Sequence, residues 1–416
     1  MIFTPGKRRK IMHCNLMQSA LGVIQNPQAA VVVHNTRSCS KVVWDAFLTL
    51  GEKYEKVTGK KRPNGFIFST GLTNQDAVFG AAEKLRHCLR DIIHERKPEV
   101  IVVACGCVPG VIGDDTASVC REVEQETMTP IVLLPGHGFM VPGHVDTVIS
   151  LTRLLFEKWT RPCITEKKKS DCCVVIGLSP AYSSPEEYRE IMTVLQILGF
   201  SEILCPPVGT DRGVYEEIGQ ASLVLSFVKG SFQGKAAEEL GQEAAQTLQV
   251  PLVDWNRLYT PEKSRAAFME LAAGRGQEVP MLAYCDAKEK ALEEELRQGK
   301  AVLSGKSCCI RLGIARQMEQ VMPAIQLLRK MGVDSIRVAL SEMITEEERK
   351  TIRAYFLTQV PFLRWEETQS EEEIHLSTIP FDLRKSEELL LPSCIGYDGW
   401  IHFLARLRAA YGGSNG

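Results

Sequence analysis

A chain of 416 residues with 44% hydrophobic and 24% charged side chains is long enough for two or three cored domains, and its composition excludes a disordered, fibrous or small disulfide-stapled protein. Lys plus Arg number 49 against 51 Asp plus Glu, so the formal charge of −2 sets up no field to draw nucleic acid or an anionic membrane surface. The charges of Met1 to Lys10 lead into no apolar stretch, and the longest apolar run, Val100 to Ile112, is broken by Gly and Pro and is too short to span a bilayer.

A cytoplasmic protein without nucleic-acid or membrane partners is therefore expected, and its fourteen cysteines should remain thiols. The basic run Lys7 to Lys10 reads as a solvated arm. Short β-branched runs then alternate with longer helical patterns: Val31–Val33, Phe66–Phe68, Val100–Val103, Ile131–Leu134, Val174–Ile176, Leu223–Leu225, Leu252–Val253 and Ile336–Leu340 are predicted strands. The pairs Cys172-Cys173 and Cys308-Cys309 start strands, so their side chains face opposite ways and cannot easily share a metal. One predicted helix has Ser184 as N-cap, Pro185 at its first position, Glu186 and Glu187 in its first turn, apolar Tyr188, Ile191, Leu195 and Leu198, and Gly199 as stop; Thr260-Pro261 through Gly274 repeats the device.

Apolar strands alternating with helices imply parallel sheets covered on both faces. The polar stretch Arg161 to Ser170, with Lys167 to Lys169 inside it, reads as a solvated linker. A second break near Gln298 to Lys300 precedes an expected strand at Ala301 to Leu303. The expected fold class is α/β, three Rossmann-like domains with mainly parallel sheets flanked by helices, over 1–165, 171–298 and 299–416.

Three cysteines distant in sequence stand out: Cys14, Cys39 and Cys107. Cys39 closes the turn His34 to Cys39 after a predicted strand, and Cys107 lies in the loop after another, before a helix capped by Asp114 or Asp115. In open parallel sheets the ligand crevice lies outside the carboxyl ends of the strands, so both thiols can reach one rim. Gly106, Gly110 and Gly113 let the backbone pass close to a bulky inorganic group, and helix N-termini favour thiolates. Cys88, Cys120, Cys163, Cys205 and Cys285 are assigned to packing, since free cysteine is among the most buried residue types. Structural zinc favours paired Cys-x-x-Cys knuckles, whereas the only short-spaced pair here is Cys105-x-Cys107.

The run Met12-His13-Cys14, then Val31 to Cys39, then Cys107 to Asp115, followed by Pro130-Ile131-Val132 and Gly136-His137-Gly138-Phe139, resembles the nitrogenase component 1 family in order and approximate spacing. Gly396-Tyr397-Asp398-Gly399-Trp400 before an apolar last helix resembles the family's C-terminal signature. The family comprises nitrogenase molybdenum-iron protein subunits, a cofactor-assembly scaffold, dark-operative protochlorophyllide reductase and related oxidoreductases. The resemblance implies that Cys14, Cys39 and Cys107 are the three ligands by which each subunit holds its share of an iron–sulfur cluster, 4Fe-4S or 8Fe-7S-like, at a subunit interface. It further implies a homologous or identical component 1-type partner subunit and an ATP-dependent iron protein as reductase. The expected function is a nitrogenase-like oxidoreductase subunit relaying electrons through the cluster to a reducible substrate or cofactor; the alternative is a non-catalytic scaffold for metallocluster assembly.

Two departures bear on that choice. Where a catalytic nitrogenase subunit carries a cofactor-binding cysteine after a strand like Leu223–Leu225, this chain has Ser226, and Asp382 to Ile395 contains no histidine to match the cofactor's second ligand. Both argue against this chain alone holding such a cofactor; Cys394 reads as packing. His137 and His144 read as loop hydrogen-bonding residues, with proton delivery the rarer use, and His13 beside Cys14 as surface or supporting. No nucleotide site is expected: Gly305-Lys306-Ser307 lacks the first glycine of a phosphate loop at Lys300, and Gly230 to Lys235 is one residue short.

Overall fold

A computed structural model describes residues 29–61, 65–134, 147–178, 184–206, 211–227, 234–256, 258–313, 318–341, 344–359, 374–378, 389–392 and 395–412. In chain order the elements begin β1 (Ala29–His34), α1 (Arg37–Thr58), β2 (Phe66–Ser69), α2 (Asn74–Phe79), α3 (Ala82–Arg96), β3 (Val100–Cys105), α4 (Cys107–Ile112), α5 (Thr116–Thr127), β4 (Ile131–Leu134) and α6 (Thr147–Leu155). There follow β5 (Lys169–Ile176), α7 (Pro185–Ile197), β6 (Glu202–Leu204), α8 (Arg212–Ile218), β7 (Ala221–Ser226), α9 (Gly234–Leu248) and β8 (Leu252–Asp254). The remainder is α10 (Pro261–Ala273), α11 (Glu278–Leu303), β9 (Ser307–Leu312), α12 (Met318–Lys330), β10 (Ser335–Leu340), α13 (Glu346–Gln359), β11 (Ile374–Ser377), β12 (Leu389–Leu390) and α14 (Asp398–Tyr411).

The strands form three four-stranded sheets ordered β2-β1-β3-β4, β6-β5-β7-β8 and β10-β9-β11-β12, and every pairing is parallel. The chain is thus α/β with helix-flanked parallel sheets, as the alternation of runs predicts. Each sheet adds its second strand on one side of the first and its third on the other, which opens a crevice at the carboxyl ends between first and third strands. Two compact units carry them: one comprises Met1–Tyr182, Glu202–Phe227 and Lys235–Asp254, with the first two sheets; the other comprises Ser183–Ser201, Val228–Gly234 and Trp255–Gly416, with the third.

Every residue of β1 and β3 is buried, as strands covered on both faces require. On one face, Leu85, Leu89 and Ile92 of α3 and Val119 and Val123 of α5 pack against Ala30, Val32, Ile101 and Val103. The helical positions recur at three and four residues and the strand positions at two, so truncating Leu85 or Leu89 to Ala should cost about 2–5 kcal/mol.

Ala301 to Leu303 does not open a strand but closes the 26-residue α11, whose buried Met281, Cys285, Leu292 and Leu303 recur at helical intervals. A three-residue apolar run carries no period of its own. The third sheet begins only at Ser307, so Gly305-Lys306 is a turn before a strand, whereas a phosphate loop follows one. The lysine triplet is likewise structured: β5 starts at Lys169, whose Nζ donates to Glu202 at 3.0 Å, while Lys168 donates to the Gly219 carbonyl at 2.9 Å. Among the described residues no helix is long and apolar enough to cross a membrane.

Candidate functional site

The crevice of the first sheet lies between β1 and β3, whose register pairs His34 with Cys105 at the carboxyl ends. Cys39 sits in the first turn of α1, five residues past His34, and Cys107 opens α4, two residues past Cys105. The loops after these neighbouring strands therefore carry both thiols to one end of the sheet. Both cysteines are half-buried, and no described cysteine forms a disulfide. Cys14 lies outside the described residues, as do His13, His137, His144 and Cys394.

The polar groups beneath this rim are more specific than the thiols themselves. His34 is fully buried; its Nδ1 shares a 3.1 Å hydrogen bond with Thr70 Oγ1, while its Nε2 has no hydrogen-bonding partner and lies 3.7 Å from Asp114 Oδ2. Burial pulls its pKa down to about 4, against the opposing pull of Asp114, so the ring is neutral near pH 7. Asp114 also accepts the Ala81 backbone N–H at 2.9 and 3.1 Å at the start of α3, while Asp115 caps α5 by accepting from Ser118 N at 3.1 Å. Adjacent carboxylates thus serve two helices: Asp115 is the cap expected for α5, and Asp114 belongs to its neighbour and to His34.

Asn35 is 2% exposed and donates through Nδ2 to Cys39 Sγ at 3.3 Å, with Thr36 Oγ1 a second donor at 3.7 Å. Gly106 N donates to the His34 carbonyl at 3.1 Å, and a Cβ on Gly106 would overlap the Asn35 carboxamide. One amide therefore bridges from the sulfur of Cys39 to the residue beside Cys107. Sequence reading missed it because only the strand register brings Gly106 against Asn35; the available signal was a polar amide four residues before a cysteine at a helix start.

The remaining cysteines include buried core thiols. Burial pushes Cys88 up to about 11 and Cys120, Cys172 and Cys205 up to about 12, so they stay protonated, in keeping with packing roles. Around the rim, Val78, Phe79 and Val111 on the touching short helices α2 and α4 are 74%, 86% and 70% exposed, an apolar step beside Cys107. Among the described residues no group of three His, Cys, Asp or Glu converges on a metal position. Ser226 ends β7, buried, next to Ile176 and Asp254 at the carboxyl end of the second sheet.

The C-terminal signature is built by buried carboxylates of α7. Ser184 caps that helix as expected, yet Glu187 and Glu190 are 0% and 1% exposed. Glu187 accepts from Ile395 N at 2.8 Å, and Glu190 accepts from Tyr397 N at 2.8 Å, Asp398 N at 2.7 Å and Tyr284 Oη at 3.0 Å. Ser264 Oγ takes the N–H of Gly396 at 2.9 Å. Four successive backbone donors leading into α14 are thereby satisfied, and Gly396, at φ 89°, lies where a Cβ would overlap the Glu190 carboxylate. Burial first, and Asp398 second, push Glu190 up to about 7 against the pull of its donors.

The sequence profile of the nitrogenase component 1 type oxidoreductases matches residues 14–388. The nitrogenase iron-molybdenum cofactor biosynthesis protein NifE of Clostridium pasteurianum is 31% identical over 329 residues, 76% of this chain and 66% of that protein. The NifE of Methanosarcina barkeri is 31% identical over 156 residues, 36% of this chain and 31% of that protein. The nitrogenase molybdenum-iron protein alpha chain of Methanothermobacter thermautotrophicus is 35% identical over 106 residues, 24% of this chain and 23% of that protein. The matches span about two thirds or less of these relatives' lengths. A solved structure, nitrogenase Cp1 at pH 5, superposes with a TM-score of 0.66 at 15% identity over 97% of this chain and 88% of its own, a likeness of fold.

Proposed function

The chain belongs to the nitrogenase component 1 type oxidoreductase family, and on that premise we propose that it is a subunit of a scaffold on which a metallocluster is assembled and handed on, in preference to a catalytic electron relay. The observation that carries this reading is the long match to a cofactor biosynthesis protein, where the match to a catalytic chain covers 24% of this one. Ser226 supports it: a hydroxyl at the end of β7 is a poor soft-metal ligand where a thiolate would anchor a resident catalytic cofactor.

Cys39 and Cys107, with Cys14, are the residues we assign to an iron–sulfur cluster of the chain's own. The donor set fits: half-buried thiols at the ends of the two strands flanking the crevice, one of them already accepting an amide N–H. A cluster held there supplies one-electron redox capacity. Three protein ligands leave a position for a homologous or identical partner subunit, and exposed Val78, Phe79 and Val111 support a covered face at this rim. An ATP-dependent iron protein is the proposed reductant.

Cys39→Ala and Cys107→Ala should each strip iron and visible absorbance from the anaerobically purified complex; full retention of both would falsify the ligand assignment. With iron protein and ATP, the wild-type complex should transfer a cluster to an acceptor apoprotein without sustained substrate reduction. Sustained turnover would restore the relay reading.

A further inference from the structure

We infer that Asn35 is a positioning residue for the Cys39 thiolate, its buried carboxamide fixing the sulfur and lending it the N–H donor that raises the reduction potential of the iron centre. The inference rests on Cys39 being a cluster ligand, as proposed above.

Asn35 is held from three sides. Its carbonyl accepts from Leu72 N at 3.0 Å, its side chain occupies the space that Gly106 leaves by lacking a Cβ, and its Nδ2 ends 3.3 Å from Cys39 Sγ. Its Oδ1 is buried without a hydrogen-bonding partner. A buried amide left half-satisfied costs stability, and a hydrocarbon of the same size would avoid that cost. What a hydrocarbon cannot do is donate to sulfur.

The value of that donation depends on the state of the sulfur. A neutral thiol is a weak acceptor, whereas a thiolate takes a charge-assisted bond of roughly twice the strength. The contact therefore matters most when Cys39 is deprotonated, as a ligand is. Reduction of a cluster adds negative charge that its sulfurs share, so an N–H aimed at a ligating sulfur stabilises the reduced form more than the oxidised one. The couple is a one-electron reduction by an external titrant, and no bond in the protein is made or broken.

The test is an anaerobic redox titration, followed by electron paramagnetic resonance, of the iron-loaded complex carrying Asn35→Leu, Asn35→Ala or Asn35→Ser. Leu and Ala remove the donor, one keeping the bulk and the other not; Ser keeps a shorter donor. The expected result is wild-type iron content with midpoint potentials shifted negative in the Leu and Ala variants, and Ser between them and wild type. An iron-loaded Leu or Ala variant at the wild-type potential overturns the inference. Equal iron loss from all three also overturns it, because packing alone then accounts for the residue. Absence of iron from the wild-type complex removes the parent reading and needs no variant to be seen.

Discussion

The cysteine rim of the first sheet and the carboxylate clasp before the last helix both bury polar side chains against a glycine, but they close on different things. In the clasp, Glu187, Glu190 and Ser264 take up four consecutive backbone N–H groups of the same chain. In the rim, Asn35 donates to a sulfur and keeps an unpartnered oxygen, while His34 turns its second nitrogen toward Asp114 at 3.7 Å. Carboxylates that take up backbone N–H groups do architecture, whereas an amide that donates to a thiol serves a sulfur whose own partner is assigned outside the chain. The contiguous run Gly-Tyr-Asp-Gly thus marks a structural joint, while chemistry is assigned to cysteines scattered over distant loops.

The sharpest way to break that contrast is Gly396→Ala. The residue sits at φ 89° with the Glu190 carboxylate where the new methyl must go, so backbone strain and overpacking add. The expected loss is roughly 3–5 kcal/mol, read from urea unfolding. Iron content of whatever variant folds should match wild type, because the clasp is assigned no ligand. A Gly396→Ala protein as stable as wild type would show that the clasp is not a tight joint.

The two regions should also pull stability in opposite directions with pH. His34 has a folded pKa near 4 against 6.5 unfolded, so the unfolded chain binds the extra proton between those values; its contribution is complete above 6.5 and is lost as pH falls toward 4. Glu190 has a folded pKa near 7 against 4.5 unfolded, so the native state binds the extra proton; its contribution is complete below 4.5 and is lost as pH rises through 7. Each effect is on the order of 3 kcal/mol. Facing Glu190 are Asp398, ion-paired to Lys288, together with Tyr284, and none of them reverses this sign. Urea midpoints measured from pH 4 to 7 should lose their acid-side slope in His34→Gln and their neutral-side slope in Glu190→Gln. Identical pH profiles in wild type and both variants would remove the distinction.

Much of the scaffold was legible because it rests on local rules. Val31–Val33 and Val100–Val103 announce strands buried on both faces, and Ser184-Pro185 and Thr260-Pro261 announce helix starts that the structure places at those residues. Elements without a local signal were missed: β6 is three residues with one acidic, and β12 is two residues long. Ala301 to Leu303 misleads because its period is set by residues twenty positions earlier in α11. Glu187 reads as a first-turn acid complementing the helix dipole, which it is by position; that it turns inward, with Glu190, depends on a segment about 200 residues away. Asn35 is illegible for the same reason, since its significance depends on the β1–β3 register.

Adjacent Asp114 and Asp115 give the finest form of the comparison, because the sequence offers them as equivalents. Asp115 makes one exposed cap bond to Ser118 N, so Asp115→Ala should cost about 1 kcal/mol and leave the rim untouched. Asp114 holds Ala81 N through both oxygens and faces the buried His34, so Asp114→Ala should cost more, about 2 kcal/mol, by leaving that N–H without its acceptor. It should also widen the acid-side pH slope, because the Asp114 charge is what holds the His34 pKa up as far as 4. Urea titrations of the two variants from pH 7 down to pH 3 decide it, because the added loss in Asp114→Ala develops below the folded His34 value of about 4. Equal losses from both, with no added pH dependence in Asp114→Ala, would mean that the two carboxylates are interchangeable caps after all and that His34 is set by burial alone.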